Sequence, residues 1–226
     1  MPPPLREIIR QLTSYYGRPK LPEVTDPFEM ILWENVGYLI SDERRAKAFE
    51  ALREKAGLTA ASIAAAPRQA ILEATRLGGM LPETRADRIR LSAELALSEF
   101  DGDLRRAFER PVPLAKKALK QYPTIGDPAA EKILLYNGVA PILALDSNGL
   151  RVVVRLGYSE ERKNYGATYR GAKQALAEQI GTDCAWLMEA HQLLRRHGQE
   201  LCRRNEPACR ACPVAEGCNY ARLQRA

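Results

Sequence analysis

Apolar residues in this chain recur three and four positions apart through most of its length, and convincing alternation of the kind a half-buried strand needs is absent. Leu5, Ile8, Ile9, Leu12 and Tyr16 predict a first helix from about Leu5 to Tyr16, and Gly17, Pro19 and Pro22 make a linker after it. Asp26-Pro27-Phe28-Glu29 reads as a capping box with proline in the first turn, opening a helix that reaches about Ile40. Ser41 can cap the next helix, which Gly57 ends. Helices follow near 60–66 and 68–77, the second stopped by Gly78-Gly79, then over about Pro82–Phe100, Asp103–Glu109 and Leu114–Gln121. Past Asp146 they are predicted near Ser147–Leu156, Thr168–Ile180 and Asp183–His197, the last closed by Gly198. Val152-Val153-Val154 is the one β-branched cluster, so the pattern predicts an all-α protein.

The chain has 226 residues, enough for one large or two small domains with a real core. It has no run of eighteen apolar residues, and MPPPLREIIRQL lacks a signal-peptide core, so a soluble, cytoplasmic protein without a membrane partner is expected. The formal charge is +6, with arginine dense near the C-terminus (Arg195, Arg196, Arg203, Arg204, Arg210, Arg222, Arg225). A polyanionic partner suits that balance, because neutralising phosphates releases counterions, although a mildly basic enzyme is nearly as common a reading.

Chemistry-bearing residues concentrate in two stretches. Tyr122 to Asp146 opens with the turn Pro123-Thr124-Ile125-Gly126, after which Asp127-Pro128 begins a helix, the aspartate able to cap it. A turn whose amides point outward beside a helix N-terminus can bind a phosphate oxygen without side chains. Asp146 follows the apolar run Ile142–Leu145 and is either a helix cap or a reacting group. The second stretch is Cys202-x6-Cys209-x2-Cys212-x5-Cys218. Four closely spaced thiols in an intracellular chain imply a metal site rather than disulfides, and the spacing leaves zinc and an iron–sulfur cluster both open. The remaining cysteine, Cys184, beside Ala185, Trp186 and Leu187, reads as an ordinary buried thiol.

Pro123-Thr124-Ile125-Gly126, Asp146 and the four C-terminal cysteines, in this order, resemble the helix–hairpin–helix DNA glycosylases, and among them endonuclease III and the mismatch adenine glycosylases. The resemblance runs from about Asp26 to the last cysteine. It implies a six-helix barrel domain with the hairpin over residues 27–140, and an iron–sulfur domain made of residues 1–26 and 141–226. It also implies a [4Fe–4S] cluster on Cys202, Cys209, Cys212 and Cys218, with His197-Gly198 before the loop and Asn219-Tyr220 after it belonging to the same likeness. The implied partner is duplex DNA with a damaged or mismatched base, bound by a monomer, which in a prokaryote would associate with the nucleoid.

Carried over residue by residue, the likeness assigns roles. Asp146 matches the carboxylate that stabilises an oxocarbenium-like sugar and orients water, and Asn148 matches the asparagine of the adenine glycosylases' Asp-Gly-Asn. Glu34, seven residues past Pro27, matches their catalytic glutamate, which protonates the departing base. It is a lone acid in the middle of FEMILWENVGYLI, so the alternative is a partly exposed surface glutamate. Leu81 matches the endonuclease III leucine that wedges the duplex while the nucleotide is flipped. Pro123, Thr124, Ile125 and Gly126 would grip the strand.

Three positions depart from the pattern. Pro128 stands where endonuclease III has its attacking lysine, so the Schiff-base route is closed unless another amine substitutes, with Lys132, one turn on, as the nearby candidate. Thr124 replaces the usual hairpin glycine, and Tyr38-Leu39-Ile40 replaces the glutamines that fill the gap left by the flipped base. The expected activity is therefore a monofunctional glycosylase with water as nucleophile. The rivals are a bifunctional glycosylase/lyase using Lys132 and a non-catalytic, DNA-binding or redox-sensing iron–sulfur protein.

Overall fold

The structure, a computed structural model, describes residues 2–224; Met1, Arg225 (one of the C-terminal arginines) and Ala226 lie outside the described residues. The helices are α1 Leu5–Tyr16, α2 Pro27–Val36, α3 Asp42–Ala56, α4 Ala60–Ala65, α5 Arg68–Leu77, α6 Pro82–Phe100, α7 Val112–Leu119, α8 Asp127–Tyr136, α9 Ser147–Leu156, α10 Tyr165–Leu176, α11 Cys184–Glu200 and α12 Asn219–Leu223. Short 3₁₀ turns cover Leu104–Glu109, Ala177–Gln179 and Cys209–Ala211. No strand forms among the described residues, and the protein is all-α as the periodicity predicts; one isolated bridge joins Tyr38 to Gly79. No helix among them is long and apolar enough to cross a membrane.

The chain divides into two compact units, one of residues 23–133 and one of residues up to Pro22 together with those from Leu134 onward. In the first, α2 packs on α3 and α6, α5 lies against α3 and α6, and α4 closes on α6. Phe28, Ile31, Leu32, Phe49, Leu52, Ile63, Ile71 and Ile89 fill its core. In the second, α11 lies along α9 and α1, with Leu5, Ile8 and Leu12 of α1 fully buried. Each such side chain contributes about 1.5–3 kcal/mol on burial, which is what fastens the N-terminal helix.

Several boundaries differ from the sequence expectation for identifiable reasons. The predicted helix to Ile40 stops at Val36, because Gly37 is extended and the Arg85 guanidinium takes the Val36 carbonyl. Asp26 does cap α2, accepting from the Phe28 amide at 2.9 Å and the Glu29 amide at 3.1 Å. Asp127 does not cap α8 from outside; it is the first helical residue, and its carboxylate meets Lys120 at 2.9 Å and Lys116 at 3.1 Å. The tenth helix begins at Tyr165 rather than Thr168, because the Asn164 side chain accepts from the Ala167 amide at 2.9 Å.

Gly198 does not end α11, which runs on to Glu200. Its lack of a side chain serves packing instead: a Cβ there would lie 2.7 Å from the Asn148 carbonyl oxygen on α9. Cys184, expected to be buried, sits half-exposed at the first position of α11.

Candidate active site and cysteine-lined cavity

In the first unit the 123–126 turn is clipped to α2. Asn35, 1% exposed, donates from Nδ2 to the Pro123 carbonyl at 3.1 Å and to the Ile31 carbonyl at 3.0 Å. The Thr124 hydroxyl donates to Asn35 Oδ1 at 3.2 Å. Thr124 holds φ of 67°, a left-handed conformation that a β-branched residue adopts only at a cost of order 1–2 kcal/mol. The same hydroxyl also lies 2.6 Å from the Pro123 carbonyl, so two contacts hold the side chain in place. The Ile125 and Gly126 amides donate inside the turn, to the Tyr122 and Thr124 carbonyls, so they do not face outward as the sequence reading supposed. Beneath the turn the Tyr122 hydroxyl is buried without a hydrogen-bond partner, and burial raises its pKa.

One residue before Asn35, Glu34 meets Lys132 of α8 in an ion pair, both side chains partly buried. The structure thus joins the proposed acid and the candidate substitute nucleophile in one contact. Pro128 lies one turn earlier on the same helix.

Two loops of this unit carry exposed leucines. Leu39 is 73% exposed with φ of 54°, and Leu81 is 53% exposed with φ of 55°. The loops are tied together by the Tyr38 amide donating to the Gly78 carbonyl at 2.9 Å. Arg85, 2% exposed, donates to the Val36, Thr75 and Gly79 carbonyls and to the Met80 carbonyl at 2.7 Å. A buried cation held by carbonyl groups is costly to place, and strained leucines persist where the surroundings over-determine them. This pair of loops is a rigid support for two apolar tips.

In the second unit Asp146 caps α9. Its Oδ1 accepts from the Gly149 amide at 2.7 Å and the Asn148 amide at 3.0 Å, a cap contributing about 1 kcal/mol. Its Oδ2 accepts from Asn148 Nδ2 at 3.2 Å and lies 3.5 Å from Arg195 Nε, and the side chain keeps partial exposure. Oδ1 therefore fixes the orientation, while Oδ2 carries the longer contacts to Asn148 and Arg195. Asn148 is held in turn by Arg151, which donates to Asn148 Oδ1 at 2.9 Å and to the Cys202 carbonyl at 2.8 Å. Burial, and secondarily the charge of Asp146, push the Tyr165 hydroxyl up to about 12. A cleft beside this region is lined by Arg151, Arg155, Arg162, Lys163 and Arg204, against the single acid Glu161.

All four C-terminal cysteines line one small cavity, together with Val152, Leu156, Leu201 and Val214. Among the described residues no three His, Cys, Asp or Glu side chains are gathered as a metal ion would draw them, and the five cysteines are free thiols. The donor set still suits an anionic sulfur-ligated group. Arg155 Nη1 stands 3.5 Å from Cys202 Sγ, and His197 Nε2 stands 3.6 Å from Cys212 Sγ. Burial pushes the Cys212 thiol up to about 11 and raises Cys202 as well, so a metal must displace protons to bind there. Burial also lowers the pKa of His197.

Sequence reasoning missed Asn35, Arg195 and Tyr165. A buried asparagine beside the one mid-helix acid of α2 was a usable signal for the first; nothing local marked the other two.

No family model matches the chain. Endonuclease III of Rickettsia conorii is 32% identical over 113 residues, half of this chain and half of that protein. The chain thus spans about half the length of the first curated relatives it matches. Endonuclease III of Thermotoga maritima is 22% identical over 218 residues, 96% of this chain and 93% of the relative. Among solved structures, a trapped Endonuclease III–DNA covalent intermediate superposes with a TM-score of 0.76 at 19% identity, covering 98% of this chain and 97% of that one. A thermostable thymine-DNA glycosylase gives the same TM-score at 16% identity over 97% of each chain.

Proposed function

We propose that the chain is a member of the helix–hairpin–helix DNA glycosylase superfamily and acts as a monofunctional DNA glycosylase of base-excision repair. It flips a damaged or mispaired base out of duplex DNA and hydrolyses the N-glycosidic bond with water. The observation that carries this reading is the Glu34–Lys132 ion pair next to Pro128. Proline offers no amine, and an ammonium paired to a carboxylate has no lone pair with which to attack a sugar carbon.

In this mechanism the flipped nucleotide enters as Glu34 releases Lys132 and takes up a proton from solvent; Glu34 passes that proton to the departing base, and the carboxylate that remains pairs with Lys132 again. Asp146 Oδ2 stabilises the oxocarbenium-like sugar and orients water, with Oδ1 locked in the α9 cap so that the group needs no reorganisation. Asn148 positions that carboxylate. The Pro123, Thr124, Ile125 and Gly126 turn meets the strand without its Ile125 and Gly126 amides, which are taken within the turn, and the basic cleft of Arg151, Arg162 and Lys163 supplies non-specific affinity for phosphate. Leu81 enters the base stack as a wedge, and Leu39 fills the vacated space by shape because it can make no polar contact to the opposite base.

Cys202, Cys209, Cys212 and Cys218 would hold a [4Fe–4S] cluster, a structural group that cross-links the loop between α11 and α12.

The deciding experiment is release of base from an oligonucleotide panel of oxidised pyrimidines, deaminated bases and mispairs, run with and without borohydride. Free base with an intact abasic strand and no trapped adduct is expected. A covalent adduct lost in Lys132→Ala would establish the lyase reading instead, and no release from any lesion would leave a DNA-binding protein.

A further inference from the structure

We infer that Tyr16 and His197 are positioning residues that donate one hydrogen bond into Cys212 and thereby set the reduction potential of the cluster. The inference rests on the reading of the four cysteines as its ligands. Each ring nitrogen of His197 has a partner: Nδ1 lies 3.0 Å from the Tyr16 hydroxyl, and Nε2 lies 3.6 Å from Cys212 Sγ. The ring is 1% exposed, so these contacts do not compete with solvent.

The direction of the chain of hydrogen bonds follows from the sulfur. A metal-bound cysteine sulfur carries no proton and presents lone pairs, so the nitrogen facing it must be the protonated one. A neutral imidazole has a single N–H; with that proton on Nε2, Nδ1 is an acceptor and the Tyr16 hydroxyl is its donor. The tyrosine thus selects the tautomer, as the outer partner of a metal-site histidine commonly does. Tyr16 is itself held, with the Arg196 guanidinium 4.7 Å over its ring.

It is the last residue of α1, so a helix about 180 residues upstream supplies part of the cluster's surroundings. A histidine that only filled space would not need both nitrogens aimed at a sulfur and a hydroxyl. Withdrawing electron density from a ligand sulfur favours the reduced cluster, which raises its potential.

The test uses the full chain reconstituted anaerobically with iron and sulfide, its cluster followed by visible absorbance and its potential by spectroelectrochemistry. His197→Phe should keep the brown absorbance and shift the potential negative. Tyr16→Phe should shift it the same way by less, and His197→Gln, which retains an N–H donor, should restore most of the wild-type value. An unchanged potential in His197→Phe overturns the inference. If that variant does not assemble a cluster, an unchanged potential in Tyr16→Phe overturns it equally. A wild-type chain that takes up zinc in place of iron and sulfide would instead sink the cluster reading, and this inference with it.

Discussion

Lys132 of α8 closes on Glu34 of α2, ninety-eight residues away in the chain, in an ion pair with both side chains about three-quarters buried. The pairing ties together two residues that the sequence could only nominate for rival mechanisms. Under the proposed chemistry, Glu34→Gln lowers single-turnover base release by about 10²–10⁴-fold. Lys132→Ala lowers it by roughly tenfold and leaves borohydride trapping as negative as in the wild type. Because the pair keeps access to water, its loss should cost no more than about 1 kcal/mol in thermal unfolding.

Asp146 combines a cap and a charge, and two substitutions separate them. Asparagine caps as well as aspartate, so Asp146→Asn should leave stability nearly unchanged while base release falls about 10²–10³-fold. Asp146→Ala should lose the same activity and, in addition, about 1 kcal/mol in a denaturant titration. Equal destabilisation by both variants would contradict the hydrogen bonds from Asn148 and Gly149.

The exposed leucines should matter for duplex binding and not for folding. Leu39→Ala and Leu81→Ala are expected to change unfolding free energy by less than about 0.5 kcal/mol. Both should weaken base release from duplex substrate more than from the same lesion in a single strand, where no base stack has to be opened. A loss of equal size on both substrates would count against the wedge.

Gly198→Ala should be among the more damaging small substitutions in the second unit. The new methyl group meets the Asn148 backbone at 2.7–2.8 Å, which no rotamer change can relieve, so about 1–3 kcal/mol should be lost. Since Asn148 also contacts Asp146, activity measured at a temperature where the variant is fully folded should fall as well.

Tyr122→Phe is expected to act in the opposite direction. It removes a buried hydroxyl that has no partner, a group whose desolvation costs about 1–3 kcal/mol, and leaves the ring in place. Stability should hold or rise, as read from the midpoint of thermal unfolding.

The sequence by itself determined what depends on neighbours in the chain. The helix period, the caps at Asp26, Ser41 and Asp146, and the glycine after α3 are local events, settled by backbone groups within one turn. The all-α class followed from them, and the family likeness rested on a few such local motifs in a fixed order. Tertiary structure decided what depends on residues far apart. Glu34 with Lys132, Asn35 with Pro123, Arg85 with Val36 and Tyr16 with His197 are separated by 98, 88, 49 and 181 positions. Helix endings went the same way: α2 stops short because Arg85 binds its last carbonyl, and α11 runs through Gly198 because α9 crosses there. A helical pattern tells which face is buried but not which side chain waits on the other side, since that partner is chosen by packing between elements rather than by spacing within one.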